Sequence, residues 1–193
     1  MHEVRPDADR CLFLDRDGVL NRQVVGDYVR SWAQFEWLPG ALSALVALSD
    51  WASHVVVVTN QQGVGKGLMD ESDLEDIHVR MSQQVVAAGG RLDAVLACPH
   101  LERERCSCRK PRAGLALGWL EERPWIDREK CVVVGDSWRD IAMGRVLTGG
   151  RGTCVWIGPR DSGVPVPSPD ARFESLSEFA DSVVDFETVR ETA

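Results

Sequence analysis

Two carboxylates follow a short apolar segment near the start of the chain. Asp15 and Asp17 come directly after residues 11–14, and Gly18 allows a turn there. A third carboxylate, Asp136, follows the apolar residues 131–134. An isolated Asp-x-Asp is more often a helix cap or a solvated turn. Two apolar segments that each end in an acid favour a functional site instead.

Carboxylates in this arrangement suit the hydrolysis of a phosphate ester. Mg²⁺ binds oxygen ligands and needs one or two carboxylates beside the substrate oxygen. We predict that Asp15, Asp136 and the main-chain carbonyl of Asp17 hold it. Asp15 would then attack phosphorus to form an aspartyl-phosphate. Asp17 would protonate the leaving oxygen and later activate water.

Further polar groups complete the predicted site. The β-branched segment 54–59 ends in Thr59 and is followed by Asn60 and Gln61. Their hydroxyl and amide groups can bind phosphoryl oxygens there. Lys110 can add a fixed positive charge. Taken alone, Thr59 would be better interpreted as a helix N-cap and Lys110 as a solvated charge. His2, His54 and His78 show no partner pattern and are expected to be solvated or structural.

The elements that position these groups alternate along the chain. Continuous apolar runs predict strands at 11–14, 54–59, 92–97, 131–134 and 153–157, and helical spacing predicts helices at 39–48, 71–88, 115–122, 141–147 and 176–184. The alternation predicts an α/β fold, a doubly wound parallel sheet with helices on both faces. Sites in such sheets lie beyond the carboxyl ends of the strands, so the polar groups should converge.

One domain is expected over residues 1–193, with its core at about 11–186. Residues 158–170 are rich in Pro, Gly and Ser and predict a surface loop, and residues 187–193 predict a frayed tail.

A cluster of metal-ligand residues lies between the third predicted strand and Lys110. Cys98, His100, Cys106 and Cys108 supply three thiols and an imidazole, the ligand set of a closed tetrahedral zinc site. The polar sequence LERER between the two pairs disfavours the alternative of unrelated buried cysteines. A closed site has no open position for substrate, so we expect structural Zn²⁺ that orders the loop 98–108.

Composition limits the classes of function. The 193 residues are 44% apolar and 27% charged, as in ordinary globular proteins, and the net charge is −8. That charge disfavours nucleic-acid binding, which depends on Lys and Arg. The chain has no apolar segment of membrane-spanning length and no secretory layout at its start, so we expect a cytoplasmic protein without membrane contact. The expected partner is a small phosphorylated substrate, and a monomer is the default.

Four segments carry a family resemblance. DRDGV at 15–19, TNQ at 59–61, RKP at 109–111 and VGDSWRD at 134–140 resemble the four motifs of the haloacid dehalogenase-type phosphatases, over residues 11 to about 184. With its zinc loop the sequence is similar to the D-glycero-D-manno-heptose-1,7-bisphosphate 7-phosphatases and the histidinol-phosphate phosphatases. The resemblance implies Asp15 as nucleophile, Asp17 as proton donor, Asp136 as magnesium ligand, and Thr59 and Lys110 as phosphoryl-binding groups. It also implies substrate recognition by Arg109.

The same resemblance implies the manner of substrate binding. A short insert after Asn21, which includes Asp27 and Tyr28, would contact the sugar in place of a large cap domain. The heptose enzymes usually have a substrate-contacting Lys directly after the last motif Asp, whereas this chain has Ser137, which we expect to contact substrate at that position. Arg139 or Lys66 could supply the missing charge.

Three interpretations therefore stay open at the level of sequence. The first is a phosphatase that removes the 7-phosphate of heptose 1,7-bisphosphate. The second is a phosphatase for histidinol phosphate or another small phosphate monoester. The third is a non-catalytic zinc-stabilised binding module, which would need no acid/base pair. The sequence also leaves open whether Asp140 assists the magnesium site.

Overall fold

The structure, a computed structural model, describes residues 7–159 and 166–191. Six strands and six α-helices occur in this part of the chain. The strands are β1 (Asp7–Leu14), β2 (Ala52–Asn60), β3 (Ala94–Cys98), β4 (Val132–Gly135), β5 (Thr153–Ile157) and β6 (Ala171–Phe173). The helices are α1 (Ala41–Trp51), α2 (Gln62–Gly65), α3 (Glu71–Ala87), α4 (Gly114–Glu121), α5 (Trp138–Leu147) and α6 (Leu176–Glu191).

The six strands form one parallel sheet in the order β3-β2-β1-β4-β5-β6. The strand order reverses between β1 and β4, which is where open α/β sheets form their binding crevice. Asp15 and Asp136 immediately follow these two strands. The predicted α/β class is confirmed. The carboxyl ends of β1 and β4 lie side by side, as predicted.

Alternate residues of β1 pack on opposite faces of the sheet. Leu12 and Leu14 lie in a core with helices α1, α3 and α6. Cys11 and Phe13 lie in a second core with α4 and α5. Because both faces are covered, residues 11–14 of β1 are an unbroken apolar run rather than an alternating one.

The structure differs from the predicted elements at several places. The short helix α2 was not predicted, and α5 begins at Trp138, three residues before its predicted start. Strand β1 begins at Asp7, four residues before the predicted start, and pairs with β2 through an irregular register. The three-residue edge strand β6 was not predicted, because so short a segment has no periodic signal. Helix α6 continues to Glu191, so residues 187–191 are helical where a frayed tail is expected. The middle of the predicted loop, residues 160–165, lies outside the described residues.

The insert between β1 and α1 is fastened to the core by aromatic packing. Trp32 stacks on Phe35 with ring centroids 4.8 Å apart, and Phe35 meets Trp37 edge-on at 5.1 Å. Val29 of the same insert is buried against Met69 and helix α3. Over residues 15–40 the described chain forms this short cover and no separate cap domain.

Within the described residues, no helix combines the length and the apolar character needed to cross a membrane.

Candidate active site

The predicted site residues surround one cleft at the carboxyl ends of β1, β2 and β4. The cleft has a volume of about 350 Å³. Its walls include the following predicted residues: Asp15, Asp17, Asp27, Tyr28, Thr59, Asn60, Arg109, Lys110, Asp136 and Ser137. Arg139 lines it as well. Of the predicted catalytic and substrate-binding residues, Gln61 is the one outside this set, and it is fully buried.

Lys110 is the central cation of the site. Its ammonium group lies 2.8 Å from Asp15 Oδ1 and 2.6 Å from Asp140 Oδ1, and it donates to the Val58 carbonyl at 2.7 Å. The ammonium group therefore contacts two carboxylates and one main-chain carbonyl. Burial alone would lower the pKa of Lys110, but the charges of Asp140 and Asp15 outweigh it and raise that pKa. Lys110 is thus held as a buried, permanent positive charge.

Three carboxylates crowd around this single cation. Oxygen atoms of Asp15, Asp136 and Asp140 lie within 4.8 Å of one another. Burial, followed by the neighbouring charge of Asp140, raises the pKa of Asp136 to about 7. Burial also raises the pKa of Asp15, against the lowering effect of Lys110. A hard divalent cation would relieve this repulsion, and an all-oxygen ligand set is what Mg²⁺ prefers, so the residues present fit that ion.

Asp140 is the member of this cluster that the sequence did not assign. It is buried in the first turn of α5, where its Oδ2 accepts from the Ser137 main-chain N–H at 3.0 Å and from the Ser137 hydroxyl at 2.8 Å. The signal was present as Ser-x-x-Asp, the pattern of a capping box. Ser137, predicted to contact substrate, is therefore engaged in capping α5.

Gly18 allows the carboxylates to approach one another. Its φ of +89° is disfavoured for other residues, and a Cβ at this position would collide with the Asp136 carboxylate. The glycine that follows Asp17 is thus required by both conformation and space.

Asp17 lies apart from the three-carboxylate cluster. Its carboxylate accepts from Asn21 Nδ2 at 3.0 Å and from Gln61 Nε2 at 2.7 Å, and it pairs with Arg16. Burial would raise the pKa of Asp17, but Arg16 and these hydrogen bonds outweigh it and lower that pKa. The resting carboxylate is therefore ionised, which suits a base, and the approach of an anionic phosphate would favour its protonation.

Residues of the TNQ segment, 59–61, line the cleft and also hold neighbouring groups of the site in position. The Gln61 amide bridges Asp17 and the Thr59 hydroxyl, which lies 2.8 Å away. The Asn60 side chain accepts from the main-chain N–H of Lys110 at 3.0 Å and donates to its carbonyl at 3.2 Å. Asn60 therefore fixes the backbone from which Lys110 extends.

The predicted zinc ligands come together on the loop that follows β3. Cys98 Sγ lies 3.6 Å from Cys106 Sγ and 3.3 Å from Cys108 Sγ. His100 Nδ1 lies 3.1 Å from Cys108 Sγ and 3.7 Å from Cys98 Sγ. These separations suit four ligands at about 2.0–2.3 Å from one tetrahedral ion, so the cluster could hold a metal. The loop continues directly into Arg109 and Lys110.

The fold and the site together define a class. A doubly wound sheet with a carboxylate pair after β1, a polar pair after β2, a buried Lys and an acid after β4 is the arrangement of the haloacid dehalogenase-like phosphatases. The protein is accordingly a phosphoric monoester hydrolase.

Comparisons with known proteins give the family. Residues 7–153 match the model of a family described as polynucleotide kinase 3 phosphatase. The chain is 51% identical over 175 residues to the D-glycero-alpha-D-manno-heptose-1,7-bisphosphate 7-phosphatase of Mycobacterium bovis, covering 90% of each protein. It is 31% identical to the D-glycero-beta-D-manno-heptose-1,7-bisphosphate 7-phosphatase of Pseudomonas aeruginosa, covering 90% of this chain and 97% of that enzyme.

A solved structure extends the same likeness to three dimensions. The D,D-heptose 1,7-bisphosphate phosphatase of B. bronchiseptica, complexed with magnesium and phosphate, superposes with a TM-score of 0.79 at 30% identity. The alignment covers 92% of this chain and 99% of that one. The chain belongs to this haloacid dehalogenase-like phosphatase family.

The crowding at Asp136 predicts a dependence of stability on pH. Because its pKa in the folded protein is raised from 3.8 to about 7, its contribution to stability is fully present below pH 4 and is lost as the pH rises through 7. Asp136→Asn should remove this loss. In magnesium-free buffer, the free energy of unfolding measured with urea should rise for the variant relative to the wild type by on the order of 2 kcal/mol between pH 5 and pH 8. If the difference in unfolding free energy between the two proteins is the same at pH 5 and at pH 8, the raised pKa of Asp136 is wrong.

Proposed function

We propose that the protein hydrolyses a sugar phosphate through an aspartyl-phosphate on Asp15, with Mg²⁺ held by Asp15, Asp136 and the main-chain carbonyl of Asp17. Asp140 supports this site through Lys110. The observation that carries the proposal is the cluster of three carboxylates beside the buried Lys110. Its ligands are carboxylate oxygens, which Mg²⁺ prefers, and Asp15 lines the cleft.

The mechanism follows from the residues that line the cleft. The Asp15 carboxylate attacks phosphorus while the bond to the leaving oxygen breaks. Asp17 gives its proton to that oxygen, and later takes a proton from the water that hydrolyses the aspartyl-phosphate. Thr59 and Lys110 face the phosphoryl oxygens and stabilise their charge. The bound Mg²⁺ supplies charge neutralisation between the carboxylates and the phosphate.

A second anionic group on the substrate is favoured by the unpaired cations of the cleft. Arg109 and Arg139 both line it, and neither forms an ion pair with another described residue. Arg109 Nη1 is buried and has no hydrogen-bond partner within the described chain. Two such guanidinium groups suit a phosphate that is distinct from the one at Asp15. Arg139 thereby supplies the charge that Ser137 lacks.

The substrate we propose is D-glycero-α-D-manno-heptose 1,7-bisphosphate, with removal of the 7-phosphate. One phosphate of this compound would lie at Asp15 and the other at Arg109 and Arg139. The α anomer is favoured because the identity to enzymes named for it is 51%, against 31–39% for those named for the β anomer. Histidinol phosphate, which has one phosphate, leaves Arg109 and Arg139 without an anion. A polynucleotide end is disfavoured by the net charge of −8.

The open side of the cleft is bounded by the insert. Asp27 forms a two-pronged ion pair with Arg30, which holds the turn that carries Tyr28. The Tyr28 hydroxyl accepts from Gln62 Nε2 at 3.2 Å, and Lys66 lies 5.1 Å from the centre of its ring. We place the sugar against Tyr28.

We propose Zn²⁺ as the ion of the Cys98, His100, Cys106 and Cys108 cluster. Sulfur and imidazole ligands at these separations suit zinc, and a closed set of four gives it a structural role. The ion would fix the loop on which Arg109 and Lys110 follow Cys108.

The nucleophile assignment predicts the effect of one substitution. Asp15→Asn should lower magnesium-dependent phosphate release by more than about 10³-fold, because an amide cannot form the aspartyl-phosphate. Phosphate release from a sugar phosphate, with and without Mg²⁺, measures this. Asp76→Asn on the outer face of α3 is the matched control and should keep the wild-type rate. Equal rates in wild type and Asp15→Asn would contradict the nucleophile assignment.

The two-phosphate cleft predicts a pattern of specificity. The wild type should show a higher kcat/KM for the α-heptose 1,7-bisphosphate than for the β anomer, for heptose 7-phosphate or for histidinol phosphate. Arg139→Ala should lower kcat/KM for the bisphosphate about tenfold or more, the expected effect of a lost charge-assisted hydrogen bond, and should leave the 7-monophosphate nearly unchanged.

Arg80→Ala, on the exposed face of α3, is the matched control for that substitution. Equal losses for the bisphosphate and the monophosphate in Arg139→Ala would contradict the second anion site. Similar low kcat/KM values for all the compounds would contradict the heptose assignment.

Removal of the cluster's metal has a predicted outcome. A chelator that binds zinc much more tightly than magnesium should lower both the melting temperature and the phosphatase rate, and added Zn²⁺ should restore them. Cys106→Ala should lower both without the chelator and respond little to it. The comparison is made by thermal unfolding and phosphate release at constant Mg²⁺. If melting and activity stay unchanged after zinc loss has been verified by elemental analysis, the structural role is wrong.

A further inference from the structure

The residue between the two catalytic carboxylates, Arg16, has its charged side chain fully buried. Its Nη2 donates to both oxygens of Asp17, at 3.0 Å each. Its Nη1 faces the Nε2 atom of His78, on helix α3, at 3.0 Å. A buried guanidinium is costly unless it is paired and hydrogen-bonded, and these contacts give both terminal nitrogens a partner, whereas Nε has none within the described chain.

His78 must accept the hydrogen bond from Arg16. A guanidinium group carries only donors, so the imidazole nitrogen that faces it has to be unprotonated. The ring is then neutral, with its proton on Nδ1. Burial and the adjacent charge of Arg16 lower the pKa of His78 to about 3, which agrees with this state. A histidine without a recognisable partner in the sequence thus has a definite one in the structure.

The resulting chain of contacts ends at the group that transfers the proton. Asp17 follows Asp15 in a turn, and its carboxylate needs a fixed orientation to present one oxygen to the leaving group. Asn21 holds one oxygen of Asp17 and Gln61 holds the other, whereas Arg16 holds both. Misplacement of a catalytic group by about 1 Å can cost on the order of 10²-fold in rate.

We propose that His78 is a positioning residue for the acid/base step and that it acts through Arg16. His78 orients the guanidinium, and the guanidinium orients the carboxylate of Asp17. The proton moves from Asp17 to the leaving oxygen as the bond from that oxygen to phosphorus breaks, and returns from water in the second step. Arg16 and His78 keep their own protons throughout. The inference rests on the proposed acid/base role of Asp17.

The dependence of rate on the leaving group tests this role. An alkyl phosphate needs a proton on its leaving oxygen, whereas 4-nitrophenyl phosphate releases a stable anion and needs little. The ratio kcat/KM is the quantity to compare, because it reports the steps up to departure of the leaving group. His78→Leu, which keeps the bulk but loses the acceptor, should lower it about tenfold for a primary alkyl phosphate and less than about twofold for 4-nitrophenyl phosphate.

Two further variants separate positioning from folding. His78→Gln keeps an acceptor that can reach Arg16 and should restore most of the alkyl phosphate activity. His78→Asn is too short to reach it and repeats the comparison if His78→Leu does not fold. Val79→Ala, at the neighbouring exposed position of α3, should keep wild-type activity with both compounds. Equal losses with both compounds in His78→Leu and His78→Asn would overturn the proposal.

A double-mutant cycle distinguishes failure of this inference from failure of the proposed function. If His78 acts through Asp17, then adding His78→Leu to Asp17→Asn should lower kcat/KM no further. An additive loss would overturn the inference and leave the phosphatase mechanism intact. If Asp17→Asn itself retains the wild-type rate with alkyl phosphates, the acid/base assignment is wrong and the role of His78 fails with it.

Discussion

The site depends on one electrostatic constraint, the presence of a single buried lysine among three carboxylates. Lys110 contacts Asp15, Asp140 and the Val58 carbonyl, and its charge lowers the pKa of Asp136 too little to offset burial and the charge of Asp140, which raise that pKa. Negative charge is therefore left over at the point where the order of strands reverses. The fold brings these groups together because β1 and β4 are adjacent and parallel. Most of the surrounding features serve to hold or to offset this charge.

The elements around the cluster can be understood as supports for it. Asn60 fixes the backbone of Lys110, and the capping box at Ser137 fixes Asp140. A side chain at position 18 would collide with the Asp136 carboxylate, and glycine avoids that collision. Asn60 ends β2, Gly18 lies in the turn after β1, and Ser137 and Asp140 lie at the start of α5. The active site is thus assembled from several separate segments that the sheet brings together, and not from one motif.

The sequence predicted the residues that face the cleft better than the residues behind them. Asp15 and Asp136 follow short, unbroken apolar segments, which are typical of strands buried on both faces. Asp140 and His78 lie on helices, where an isolated polar residue usually faces solvent. Arg16, the partner of His78, is 62 residues away, so no local spacing reveals that contact. The Ser-x-x-Asp spacing indicates that Asp140 caps α5, but not that it contacts Lys110. Gln61 was predicted to bind substrate, but its position two residues beyond Thr59 at the end of β2 buries it, and its amide bridges Asp17 and Thr59.

The aromatic contacts of the insert have a consequence for how the protein could acquire new substrates. Trp32, Phe35 and Trp37 join the segment that bears Tyr28 to the same core that bears the carboxylates. The wall of the cleft and its floor therefore share one packed core. We expect discrimination between substrates to come from the side chains that line this cleft. Its evolutionary variation is accordingly expected as single replacements along a short loop, with the catalytic floor untouched.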